Sequence, residues 1–140
     1  MMYFFYSHNI DYCEVGDADP TEINLLGRAK LNNYKLTFRF FPDVEPAKGH
    51  CVEGFLFYIN DKHDEIIKES ELCPNLYTIR NRELSGENGL GLIRGNFFTQ
   101  KFTKQLPNPE YLSNLYSLYL QYGLPLNQIN EALTLNNVAF

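Results

Sequence analysis

The stretch Cys51-Val52-Glu53-Gly54-Phe55-Leu56-Phe57-Tyr58-Ile59 decides the fold class. Read as an extended strand, it puts Val52, Leu56 and Tyr58 on one face and Phe55, Phe57 and Ile59 on the other. Both faces are apolar, which fits the middle of a covered sheet or the wall of a barrel. Immediately upstream, Tyr34, Leu36, Phe38 and Phe40 alternate with Lys35, Thr37 and Arg39. That period of two predicts a half-buried strand. A second run covers residues 28–32, and Asn32-Asn33 between the runs predicts a tight turn joining a strand pair. Downstream, residues 61–70 predict a helix. Asn60 or Asp61 can cap it, and Asp64 and Glu65 sit where the dipole favours negative charge.

Further out, the aromatic run at residues 2–6 predicts a buried strand that ends in a loop at Ser7-His8-Asn9. Residues 10–27, with Gly16, Asp17, Asp19 and Pro20, read mostly as irregular. Residues 75–84 and 92–98 predict strands flanking a Gly-rich loop at 85–91. Asn108-Pro109 is a helix start, an N-cap followed by proline at the first helical position. Leu112, Leu115, Tyr116 and Tyr119 follow helical spacing, Gly123 ends that helix, and Leu126, Ile129 and Leu133 mark another. Strands, a helix, strands and then helices make an α+β fold with an antiparallel, barrel-like sheet.

The 140 residues contain no linker, repeat or low-complexity tract, so residues 1–140 read as a single domain. Apolar residues make up 44% and charged residues 21%, a balance that excludes disorder. A net charge of −5 with scattered cations argues against a nucleic-acid partner, which requires a basic stripe for phosphates. Cys13, Cys51 and Cys73 are odd in number and lack Cys-x-x-Cys spacing, so a reducing compartment is expected. No apolar run reaches the roughly 18 residues of a membrane span. Met1-Met2-Tyr3-Phe4-Phe5-Tyr6 lacks the features of a secretion signal, so no membrane partner and a cytoplasmic location are expected.

Several motifs could carry chemistry. Gly89, Gly91 and Gly95 do not have dinucleotide-binding spacing and do not lead from a strand into a helix. His50-Cys51 and His63 lack metal-ligand spacing, so no metal is expected. Ser7 and His8 are sequence neighbours without a nucleophile-elbow motif, which disfavours a catalytic triad. Glu71 is the informative carboxylate. It follows the C-terminal end of the 61–70 helix, where the dipole is negative, and Glu69 adds like charge. Both effects favour the protonated form and suit proton transfer. On charge placement alone, an exposed surface glutamate is the commoner reading.

Taken in order, several segments resemble the gamma-glutamylcyclotransferase-like family, which includes the AIG2-like proteins. Tyr3-Phe4-Phe5-Tyr6-Ser7-His8-Asn9 stands where the family has Tyr-x-x-Tyr-Gly-Ser-Asn. Residues 29–38 resemble its Ala-x-Leu-x-x-Tyr/Phe-x-Leu-x-Phe hairpin, and residues 43–54 its Asp/Asn-Ile-x-Pro-x-x-Gly-x-x-Val-x-Gly segment. Glu69-Ser70-Glu71 matches its Glu-x-Glu, and Pro107-Asn108-Pro109-Glu110-Tyr111 and Gly123-Leu124-Pro125 match its C-terminal helices.

The resemblance implies a small mixed β-barrel with flanking helices and a reaction without cofactor or metal. In that reaction the α-amine of a small γ-glutamyl compound attacks its own γ-carbonyl, releasing 5-oxoproline and an amine or amino acid. It assigns the acid/base role to Glu71, substrate binding to the segment Tyr3, Phe4, Phe5, Tyr6, Ser7 and His8, and a substrate contact to Tyr111. Two positions depart from the pattern. Ser7-His8 replaces Gly-Ser, and Leu72 replaces a glycine after Glu71. These departures imply either a different substrate or a catalytically weak relative that binds a small ligand in the same pocket.

Overall fold

Five strands close into a barrel in the order β1-β3-β2-β4-β5, with β5 returning to β1. They are β1 (Met2–Phe5), β2 (Ile23–Arg39), β3 (Phe41–Ile59), β4 (Tyr77–Gly86) and β5 (Gly91–Gln100). Among the described residues, three helices accompany them: α1 (Asp61–Ser70), α2 (Pro109–Tyr122) and α3 (Leu126–Leu135). The structure is a computed structural model and describes residues 1–10, 23–70, 77–100 and 102–135. Among the described residues, no helix is long and apolar enough to cross a membrane.

β3 is the spine of the barrel. It pairs with β1 along Met2↔Tyr58 to Phe5↔Phe55 and with β2 from Ile23↔Ile59 to Arg39↔Phe41. Having partners on both edges and side chains packed on both faces, it buries Val52, Phe55, Leu56, Phe57 and Ile59. The two-faced apolar pattern fails only at Tyr58, which is 40% exposed. Gly54 lets β1 close down on this spine, because a Cβ there would meet the Phe5 carbonyl oxygen at 2.4 Å and the Phe4 ring at 2.8 Å.

Three sequence expectations need correction. Asn32-Asn33 is not a hairpin turn but a bulge within the continuous strand β2, with Asn33 at φ 63°. Asparagine tolerates the left-handed region, and the irregularity is larger on the partner strand, where residues 47–50 of β3 lie opposite Asn33 alone. The corner between β2 and β3 lies instead at Phe40, at φ 73°. It is held from outside: the Phe40 N–H donates to the Gln105 carbonyl at 3.2 Å, and the Gln105 N–H donates to the Phe38 carbonyl at 3.1 Å. Second, residues 23–27 belong to β2 rather than to an irregular segment; the rest of that prediction, residues 11–22, lies outside the described residues. Third, the sheet is not wholly antiparallel, since β1 meets β5 in parallel at Tyr3↔Asn96.

The helix predictions rest on local chemistry, and the helices form where that chemistry puts them. The Asn60 side chain accepts from the His63 N–H at 3.0 Å and starts α1. The Asn108 side chain accepts from the Glu110 N–H at 2.8 Å and starts α2, with Pro109 at the first helical position. Gly123 ends α2 in the left-handed conformation, φ 71°. Inside the barrel wall, α1 is tied to β1 by the Tyr3 hydroxyl, which donates to Asp64. Burial works against the Asp64 charge, but the hydrogen bonds from Tyr3 and Lys68 outweigh it and hold its pKa below the ordinary carboxylate value.

Candidate active site

Where β1 ends, the chain turns sharply, and the Ile10 N–H donates to the Ser7 carbonyl at 3.0 Å. Buried polar contacts fix Tyr6 at the start of this loop. Its hydroxyl donates to the Phe98 carbonyl of β5 at 3.1 Å, and its own carbonyl accepts from the Tyr119 hydroxyl of α2 at 2.6 Å. Tyr119 is fully buried, and burial pushes its hydroxyl well above the ordinary tyrosine range, so it stays a neutral donor. The same oxygen accepts from the Gln128 side chain of α3 at 2.9 Å. Gln128 also pairs with both backbone groups of Glu53 in β3, at 2.7 and 3.0 Å. An unbroken chain of hydrogen bonds therefore runs from the barrel spine through α3 and α2 to the loop.

The loop surrounds a cavity of about 20 Å³ lined by Phe4, Phe5, Tyr6, Ser7, His8 and Asn9, together with Pro42, Tyr77 and Phe98. That space is on the scale of a single water. His8 stands at its edge, exposed, with Nδ1 3.4 Å from Ser7 Oγ and 3.3 Å from the Tyr111 hydroxyl. The Tyr111 ring is packed edge-on by Phe41, with centroids 5.3 Å apart. His8 also borders a groove of about 240 Å³, lined with it by Tyr111, Asn114, Leu115 and Leu118.

The β2–β3 corner supplies Pro42 and Phe41 to this site and is itself braced by charge. Asp43 is buried, accepts from Arg39 Nε at 2.9 Å and from the Gln100 N–H at 3.3 Å, and lies beside Glu45, which pairs with Arg39, Lys35 and Lys104. Burial raises the Asp43 pKa to about 6, even though these hydrogen bonds favour its charge. The Gln100 side-chain amide donates to the Phe41 and Pro42 carbonyls at 2.9 and 3.3 Å, which fixes the corner against the end of β5.

Of the residues singled out in the sequence, Phe4, Phe5, Tyr6, Ser7 and His8 line the cavity, and Tyr111 reaches it through His8. Tyr3 faces elsewhere. Its ring is buried between Phe5 and Phe98, at 5.6 and 5.5 Å, and its hydroxyl is engaged by Asp64. Glu71 and Leu72 lie outside the described residues, as do Cys13 and Cys73. The sequence reading missed Pro42, Tyr77 and Phe98. They meet the loop only through strand register, with Tyr77 opposite Gln100 and Phe98 opposite Ile79, and no local signal marks them. His50 and the exposed thiol Cys51 border a separate groove of about 240 Å³ between β3 and α3. Among the described residues, no three His, Cys, Asp or Glu side chains come together as a metal site.

No protein-family model and no curated protein matches the chain. Solved structures do. A gamma-glutamyl cyclotransferase superposes with a TM-score of 0.76 at 17% identity, over 94% of this chain and 85% of that one. The chain has the gamma-glutamyl cyclotransferase-like fold. An AIG2-like protein from Mus musculus shares this cyclotransferase-like fold with a TM-score of 0.59 at 18% identity, over 79% of this chain and 81% of that one. So does YkqA from Bacillus subtilis, with a TM-score of 0.74 at 18% identity, over 98% of this chain and 54% of that one. Within the cyclotransferase-like fold, the closed mixed barrel with helices outside is the architecture that the family resemblance implies.

Proposed function

We propose that the protein is a γ-glutamyl cyclotransferase acting on a small γ-glutamyl compound in a reducing, cytoplasmic setting. One observation carries the proposal. Ser7 and His8 after the first strand and Tyr111 in a distant helix converge on one cavity mouth, at positions to which the family resemblance assigns substrate binding. The substrate's α-amine attacks its γ-carbonyl carbon, forming the ring C–N bond and leaving negative charge on the carbonyl oxygen. Collapse breaks the original amide C–N bond. The proton lost by the attacking amine is delivered to the departing nitrogen, which a carboxyl of raised pKa can do by acting first as base and then as acid. Glu71 fills that role in this reading, on the match of Glu69-Ser70-Glu71. Backbone donors of the loop from Tyr6 to Asn9 hold the oxyanion.

The test is 5-oxoproline release from a panel of γ-glutamyl dipeptides and γ-glutamyl amines. Wild type turns over at least one of them, and Glu71→Gln lowers kcat by about 10²–10⁴ while leaving the unfolding midpoint nearly unchanged. Near-wild-type turnover by a folded Glu71→Gln variant removes that residue from the mechanism.

A second reading, a ligand-binding relative with little turnover, is favoured by Ser7 and His8, which line the cavity where the family has Gly-Ser. Restoring the family pattern with Ser7→Gly and His8→Ser separates the two. On the binding reading the double variant gains about 10²–10³ in kcat, the worth of one oxyanion donor. On the enzyme reading the variant shows no such gain.

A further inference from the structure

We propose that the groove beside α2 is the leaving-group subsite and that it selects an amino acid or amine with an aliphatic or aromatic side chain. The inference rests on the cyclotransferase reading and extends it to substrate class. His8 belongs to the lining of both the loop cavity and the groove, so the two spaces adjoin at one side chain. A γ-glutamyl group held by the loop therefore projects the other half of its substrate past His8 and along α2. Tyr111, Asn114, Leu115 and Leu118 recur at helical spacing and form one stripe facing that path. Among the described residues, the lining contains no carboxylate, lysine or arginine. A lysine or glutamate side chain entering it leaves water without an opposite charge to meet. At about 240 Å³ the groove exceeds the cavity of about 150 Å³ that accommodates a benzene ring. Its wall is stiff: Leu115 is buried in the core, and Phe41 packs edge-on against Tyr111.

The experiment compares kcat/KM for γ-glutamyl-leucine, γ-glutamyl-phenylalanine, γ-glutamyl-lysine and γ-glutamyl-glutamate. The apolar pair exceeds the charged pair by about tenfold or more. Leu118→Ala narrows the ratio, and Asn114→Glu, at an exposed position that spares the core, shifts preference toward γ-glutamyl-lysine. Turnover with equal or reversed preference overturns the subsite and leaves the cyclotransferase reading standing. If none of the four is turned over, leucinamide and lysinamide are titrated while the backbone amide resonances of Asn114, Leu115 and Leu118 are followed. Shifts with leucinamide alone, weakened in Leu118→Ala, support the subsite independently of turnover. Equal shifts with both amines, or none, overturn it.

Discussion

Tyr119 shows how much one buried hydroxyl can hold. It donates to the Tyr6 carbonyl at the head of the site loop and accepts from Gln128, which grips Glu53 in the barrel spine. Tyr119→Phe keeps the ring and deletes both bonds, leaving a buried carbonyl and a buried amide proton short of a partner. The expected loss is about 1–3 kcal/mol of stability, read from urea unfolding, together with weaker ligand binding at the loop. A variant as stable as wild type contradicts this role. The sequence placed Tyr119 on the apolar stripe of α2 with Leu112 and Leu115, and that placement needs only helical spacing. Its partners in β1 and α3 are tertiary, and no spacing rule reveals them. The same limit applies at the site, where Ser7, His8 and Tyr111 were legible as motif positions while Pro42, Tyr77 and Phe98 were not.

At the scale of elements, the helices were the legible part because their ends are local chemistry: Asn60, Asn108-Pro109 and Gly123 act on their own neighbours. The β2–β3 corner was illegible for the opposite reason. Asn33 and Phe40 both adopt left-handed backbone, and intrinsic preference favours a turn at the asparagine. The turn falls at the phenylalanine because Gln105, far along the chain, bonds both Phe40 and Phe38 there. The β1–β3 pair is equally dependent on a single position. Gly54→Ala drives a methyl into the Phe5 carbonyl and the Phe4 ring, and neither can retreat from a strand paired on both sides. The expected cost is about 2–4 kcal/mol, seen as a lowered unfolding midpoint and loss of any 5-oxoproline release, since the site loop hangs from β1.

For the molecule as a whole, Asp43 sets part of the pH dependence of stability. Its ordinary pKa of 3.8 rises to about 6 on folding. Below pH 4 both folded and unfolded chains hold the proton and the group contributes nothing. Between about pH 4 and 6 the unfolded chain releases it first, so stability falls as pH rises, by about 3 kcal/mol in total. Glu45 and Asp64 act in the other direction. Their folded pKa values are lowered, so they stabilise the fold above the ordinary carboxylate range and lose that contribution as pH falls. Asp43→Asn removes the decline. Its stability relative to wild type grows between pH 4 and 7, measured by urea unfolding at each unit. A difference that stays flat across that range excludes the raised pKa.

The closure of the barrel has a consequence in time. β1 precedes every other strand in the chain, yet its two neighbours are the far end of β3 and, through Asn96, β5. On a ribosome its aromatic side chains emerge before the strands they pair with, and they wait until most of the barrel has been synthesised. Such distant pairings are slow to form, and an unpaired aromatic strand is a risk for aggregation while it waits. The loop that carries Ser7 and His8 is thus made before β2, β3, β4 and β5, and it takes its final shape only when the last of them has docked.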